Sequence, residues 1–244
     1  MSALQNDPKR FERTVGVTPV SGKLNARIIR RKSAEVRATF SLIAFLELLI
    51  LGLPQRGLSK EVNAYRFRNI PNLLRGVWKL ALAGVLGIPT MYGRVFARVV
   101  RADGSVLDLG LVSLRVVTTA GVGFIVDAWQ NILELEIMKY HGVGTGTNAE
   151  ASGDTALQTE STTVLNPDST RATGSLTEGA SANIFRSVGT LTFDGSAAIT
   201  EHGLFSQAAT GGGTLFDRSV FSAINVASGD SIQFTYDATF TAGS

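Results

Sequence analysis

The chain has 244 residues, 44% of them hydrophobic, enough to bury a substantial core. It holds no cysteine and only two histidines, which removes disulfides, thiolate nucleophiles, zinc fingers and iron–sulfur clusters and argues against a histidine-rich metal site. The net charge of +3 hides a division: residues 1–101 carry 18 Lys/Arg against 5 Asp/Glu, whereas residues 102–244 carry 5 against 15. Such asymmetry marks an arm for nucleic acid, membrane or an acidic partner.

In chain order, residues 1–37 are poor in large apolar side chains and contain Arg27, Arg30, Arg31 and Lys32, the composition of a basic extended arm. Residues 38–53 form the most hydrophobic run, with Phe40 and Phe45, and Pro54 ends it. The run is shorter than the ~20 residues that cross a bilayer, and Glu47 interrupts it. A buried or partner-docking helix is the preferred reading and a membrane span the alternative. Residues 73–89 make a weaker helix with glycines inside it. Between the two runs, Tyr65, Arg66, Phe67 and Arg68 interleave aromatic and basic groups, and Trp78 follows between Arg75 and Lys79. That composition suits a partner-facing surface; nucleic acid is disfavoured because no recognition motif accompanies it. Residues 38–92 are therefore assigned as a helical docking region.

At residue 93 the character changes to a β-rich domain running to residue 244. Strands over 94–101 and 105–111 flank the turn pair Asp103-Gly104. Thr118 or Thr119 caps a helix to about Asn131 that buries Val122, Phe124, Ile125, Ala128 and Trp129. Residues 134–140 alternate like a strand. Further strands are predicted over 172–178, 183–193, 198–205, 214–221 and 231–240, with glycine-rich reversals between them. The fold class is mainly β: an antiparallel sandwich or jelly-roll-like domain with one short helix, preceded by the basic, partly helical arm.

Few residues combine into chemistry. The run from Gly142 to Gly146 suggests a phosphate cradle, but no Gly-Lys-Ser/Thr ending follows it, so a structural loop is preferred. Glu201 and His202 are adjacent, as are Asp217 and Arg218, yet neighbours on a strand point to opposite faces and do not converge on one substrate. No carboxylate run has calcium-loop spacing, no catalytic set emerges, and no cofactor is implied. These four charged residues are assigned to subunit contacts.

The strings Gly144-Thr145-Gly146-Thr147, Asp154-Thr155-Ala156-Leu157 with Glu160, Ile199 to Phe205, Gly213 to Arg218 with Phe221, and Gly229 to Tyr236 resemble a recurrent pattern in structural proteins of tailed-phage particles. The likeness covers residues 93–244. It implies a non-enzymatic virion subunit, assembled in the host cytoplasm, which partners the major capsid protein or other virion subunits as a homo-oligomer, a trimer by preference. A capsid decoration (cement) protein is the leading form and a collar, tail or fibre adaptor the alternative. A membrane-associated receptor- or carbohydrate-binding protein is the reading from a different class.

Overall fold

A computed structural model of the chain describes residues 48–86 and 91–240. The expectations for residues 1–37, and for residues 38–47 of the apolar run 38–53, lie outside the described residues; the rest of that run holds one π-helical turn, Leu48–Gly52. Within them, period-two alternation builds strands β1 (Met91–Val100), β2 (Val106–Val116), β3 (Tyr140–Gly144), β4 (Ala172–Thr173), β5 (Ser175–Glu178), β6 (Ile184–Thr192), β7 (Ala197–Phe205), β8 (Leu215–Val226) and β9 (Ser231–Phe240). They pair antiparallel into two sheets, ordered β2-β1-β9-β6-β5 and β4-β3-β7-β8. Val95, Ala97 and Val99 of β1 and Ile232, Phe234 and Tyr236 of β9 face Val143, Ile199, Leu204, Phe221 and Ile224 across the core. This is the mainly β sandwich that the alternation implies. The β1–β2, β5–β6 and β7–β8 hairpins each stay in one sheet, so the sheet-alternating jelly roll is not the form taken.

Helix α1 (Lys60–Leu86) is one continuous element, where the sequence suggested a basic-aromatic linker and a separate weak helix. Ser59 Oγ accepts from the Val62 N–H at 3.2 Å and starts it. Val62, Tyr65, Asn69, Leu73, Gly76 and Leu80 recur at three- and four-residue spacing and are all buried, which defines the inward face. Pro71 is tolerated mid-helix because it sits on the exposed face; the carbonyl its ring deprives of a partner, on exposed Phe67, lies on that same face. At Gly76 the backbone of α1 meets the Leu114 carbonyl so closely that a Cβ would collide with it.

The helix seals the open side of the sandwich. β2 and β8 are edge strands of opposite sheets and lie against each other, with backbone groups left to satisfy. Asn69 Nδ2 donates to the Val112 carbonyl of β2 at 2.8 Å, and its Oδ1 accepts from the Ser222 N–H of β8 at 2.9 Å. One side chain thus ties both sheets. Arg66 Nε donates to the Leu109 carbonyl at 3.1 Å, and Arg115 Nη1 donates back to the Asn72 carbonyl of α1 at 3.0 Å.

Helix α2 (Thr119–Trp129) joins the two sheets. Thr118 is its N-cap, accepting from the Gly121 N–H at 2.9 Å while donating to the Leu215 carbonyl at 2.7 Å. Of the side chains expected to be buried, Phe124 is, and Ile125 and Ala128 are half-buried. Val122 and Trp129 instead point outward, since only one narrow face of α2 meets β8. The strand expected over 134–140 is a 3₁₀ turn at Leu135–Ile137, and pairing starts only at Tyr140, opposite Phe205. β7 ends at Phe205, so residues before Tyr140 have no strand to bond.

Candidate functional site

The outer face of the β3–β7–β8 sheet carries most of the resemblance strings, and the long segment 145–171 folds over it. Its centre is Glu201, which is fully buried. Glu201 Oε1 accepts the N–H groups of Gly146 and Thr159 at 3.0 and 2.8 Å, and Oε2 accepts Gln158 N–H and Arg218 Nε at 3.0 and 2.8 Å. Four charge-assisted bonds saturate the carboxylate and leave it nothing to offer a substrate. Of the glycine run only Gly146 donates to this carboxylate, and the backbone of Gln158 and Thr159 completes the cradle around an anion that belongs to the chain itself. At Gly146 a Cβ would lie 2.5 Å from Glu201 Oε1, so only glycine admits this approach.

Arg218 extends the network outward. Its Nη1 donates to Asp154 Oδ2 at 3.0 Å and its Nη2 to Asn148 Oδ1 at 2.6 Å. A second buried pair lies beside it: Arg171 contacts both Glu160 oxygens at 2.6 and 3.0 Å and stacks 3.5 Å above the Phe205 ring. Arg171 Nη1 also donates to the Gln207 and Gly212 carbonyls at 2.9 and 2.8 Å. Leu157 packs with Phe205 and Leu215 in a small apolar cluster. Taken together, the strings encode a clasp that turns segment 145–171 into a fixed layer.

On the inner face of the same strand, His202 Nε2 sits 3.0 Å from His141 Nδ1, and His141 Nε2 sits 2.9 Å from Ser187 Oγ. The series Ser187–His141–His202 imitates a nucleophile, base and orienting group. All three have zero exposure between the sheets, and no substrate atom reaches them. Burial pushes His141 down to about 3 and, with the neighbouring His141 ring, holds His202 well below the ordinary histidine value. Asp217 is likewise buried; desolvation lifts it to about 7 against the opposing hydrogen bond from Ser219 Oγ at 2.9 Å.

Glu201, His202, Asp217 and Arg218, assigned from sequence to subunit contacts, are thus all inside the protomer and bonded to it. Of the residues assigned to partner binding, Arg27, Arg30, Arg31, Lys32, Phe40 and Phe45 lie outside the described residues. Tyr65 and Arg66 face this chain's own core and edge strand. Arg68 and Trp78 are exposed on α1. Phe67, Leu74 and Leu82 join Trp78 there, and Val122, Val126, Trp129 and Ile132 are exposed along α2 and the turn after it. The sequence marks Phe67, Arg68 and Trp78 as partner-facing by composition, but not the continuous stripe on α1; on α2 it places Val122 and Trp129 inside, and no local signal separates its two faces.

Two grooves flank these features. One, of 490 Å³, runs over the outer face of β1 and β9 beside Arg66, Phe96, Arg98 and Gln233; the other, of 240 Å³, is lined by threonines beside Arg171. Among the described residues, no group of three or more His, Asp or Glu side chains is placed to hold a metal ion, and no helix is long and apolar enough to cross a membrane. Comparison with family models, curated proteins and solved structures found no match for the chain.

Proposed function

We propose that this protein is a structural subunit of a tailed-phage particle, in the first instance a minor capsid protein that binds over the coat lattice and stabilises it. The observation that carries the reading is the fate of the resemblance strings. Their charged residues, Asp154, Glu160, Glu201, Asp217, Arg218 and Asp230, are all hydrogen-bonded within the chain, while apolar side chains and both tryptophans are left on the outside. A chain that spends its charge on internal clasps and exposes tryptophan has the economy of an assembly subunit. The basic arm expected over residues 1–37, with nine Lys/Arg against three Asp/Glu, has a charge that suits acidic surfaces of neighbouring subunits.

Mass spectrometry of purified particles tests the proposal. Peptides from this chain are expected in stoichiometric amounts, including peptides from the basic arm. A copy number comparable to that of the coat subunits supports decoration, and one matching a single ring moves the protein to the collar or tail. Absence from particles rejects the virion reading altogether.

A further inference from the structure

Both tryptophans of the chain lie on surfaces that nothing in the described structure covers: Trp78 is 72% exposed and Trp129 77%. Tryptophan is ordinarily buried in a core or placed at the centre of an interface, because its ring carries the largest apolar area of any side chain. Here the two rings occupy the middle of two separate helical stripes. On α1 the stripe is Phe67, Leu74, Trp78 and Leu82. On α2 and the turn after it the stripe is Val122, Val126, Trp129 and Ile132.

The two stripes carry opposite charge. Exposed Arg68 and Arg75 border the first, and α1 has no acidic residue after Glu61. Half-buried Asp127 and exposed Glu134 and Glu136 border the second, with Lys139 the lone basic residue from Val117 to Lys139. Among the described residues, none of Arg68, Arg75, Asp127, Glu134 and Glu136 is ion-paired. Like stripes repel and unlike stripes attract, so each surface fits the other and neither fits itself.

We infer that α1 of one copy of this chain docks onto the α2 surface of a second copy, tryptophan stripe on tryptophan stripe, with Arg68 and Arg75 facing Glu134 and Glu136. A contact between two different surfaces closes into a pair when both are used reciprocally and into a ring when they are used in turn. The inference does not rest on the particle reading: it concerns the purified chain alone, whereas location is decided on particles.

The test is sedimentation velocity of the full chain across a concentration series, with tryptophan emission followed in parallel. The wild type is expected to associate, with the emission shifting to the blue as it does. Trp78→Ser and Trp129→Ser are each expected to weaken the dissociation constant by about thirtyfold or more, the size of a central interface anchor. The double variants R68E/R75E and E134R/E136R should each stay dissociated at wild-type assembly concentrations, with unchanged circular dichroism because all four side chains are on the surface. An equimolar mixture of the two should associate again, since every acidic surface then meets a basic one. Association indifferent to both reversals overturns the proposal. A wild type that stays monomeric overturns it too: flotation with phosphatidylserine vesicles would then assign the α1 stripe to a lipid surface, and tryptophans shielded from a soluble quencher would assign it to residues 38–47 of the same chain.

Discussion

The outer face of the β3–β7–β8 sheet and the outer face of α1 invert the usual division of residue types. On the sheet, Glu201 and Arg218 are nearly inaccessible and both Glu201 oxygens are bonded; on the helix, Phe67, Leu74 and Trp78 are bare. The difference teaches that buried charge here organises one chain, while exposed apolar area is what remains to organise several.

The sheet side of this contrast should break most severely. Glu201→Ala takes from the buried Arg218 guanidinium its fully buried partner, leaving Asp154 as its one remaining carboxylate, and frees three backbone N–H groups of segment 145–171. We expect about 3–5 kcal/mol lost in urea unfolding, the cost of stranding one member of a buried pair. A loss below about 1 kcal/mol would mean the clasp is solvated and not structural. Next comes the seam between helix and sandwich. Gly76→Ala drives a methyl into the Leu114 carbonyl and should cost about 1–3 kcal/mol as α1 lifts from β2, measurable as a lower midpoint at an unchanged unfolding slope.

Acid sharpens the comparison without a mutation. His141 and His202 have folded values below the unfolded 6.5, so each contributes stability that is present above 6.5 and lost as pH falls. Asp217 is raised from 3.8 to about 7, so between those values the folded state holds a proton that the unfolded state has released, and its effect runs the other way. Within that window and below the unfolded histidine value of 6.5, the unfolded chain binds up to two more protons at the histidines and one fewer at Asp217. Stability should therefore rise with pH by about 1.4 kcal/mol per unit. Asp217→Asn removes the opposing group and should roughly double that slope while making the protein no less stable at pH 8. An unchanged slope in the variant would show that Asp217 is ionised when folded.

The smallest effect is expected on the helix side. Arg68→Ala and Trp78→Ser touch no buried group, so protomer stability at low concentration should change by no more than about 0.5 kcal/mol. A larger loss would place the α1 stripe in an intramolecular contact.

Much of the β architecture was legible in the sequence. β6 and the first half of β9 alternate, and the runs Asp103-Gly104, Gly211-Gly212-Gly213 and Gly229-Asp230 mark reversals, with Gly104, Gly211, Gly213 and Gly229 all at positive φ. Thr118 was readable as a cap because its hydroxyl precedes an apolar run. The candidate site was legible as a set of residues and not as an arrangement. Glu160 and Arg171 are eleven residues apart with no strand between them, and the partners of Glu201 arrive from segment 145–160, which local pattern does not place. Helix α1 was half-visible: Pro71 reads locally as a break, and only the solvent-facing position of that residue makes continuity possible.

The sequence by itself determined where α2 starts, where most of the strands run and turn, the stretch before Tyr140 excepted, and that positive charge collects before residue 102, because hydrophobic period, turn chemistry and net charge are local properties. Which charges vanish into the fold and which apolar side chains stay outside was decided only by tertiary structure. A helix or strand has two faces, and the one that becomes interior depends on what packs against it: β2 and β8 claim one side of α1, segment 145–171 claims the outer side of β7, and only a narrow strip of α2 is claimed at all.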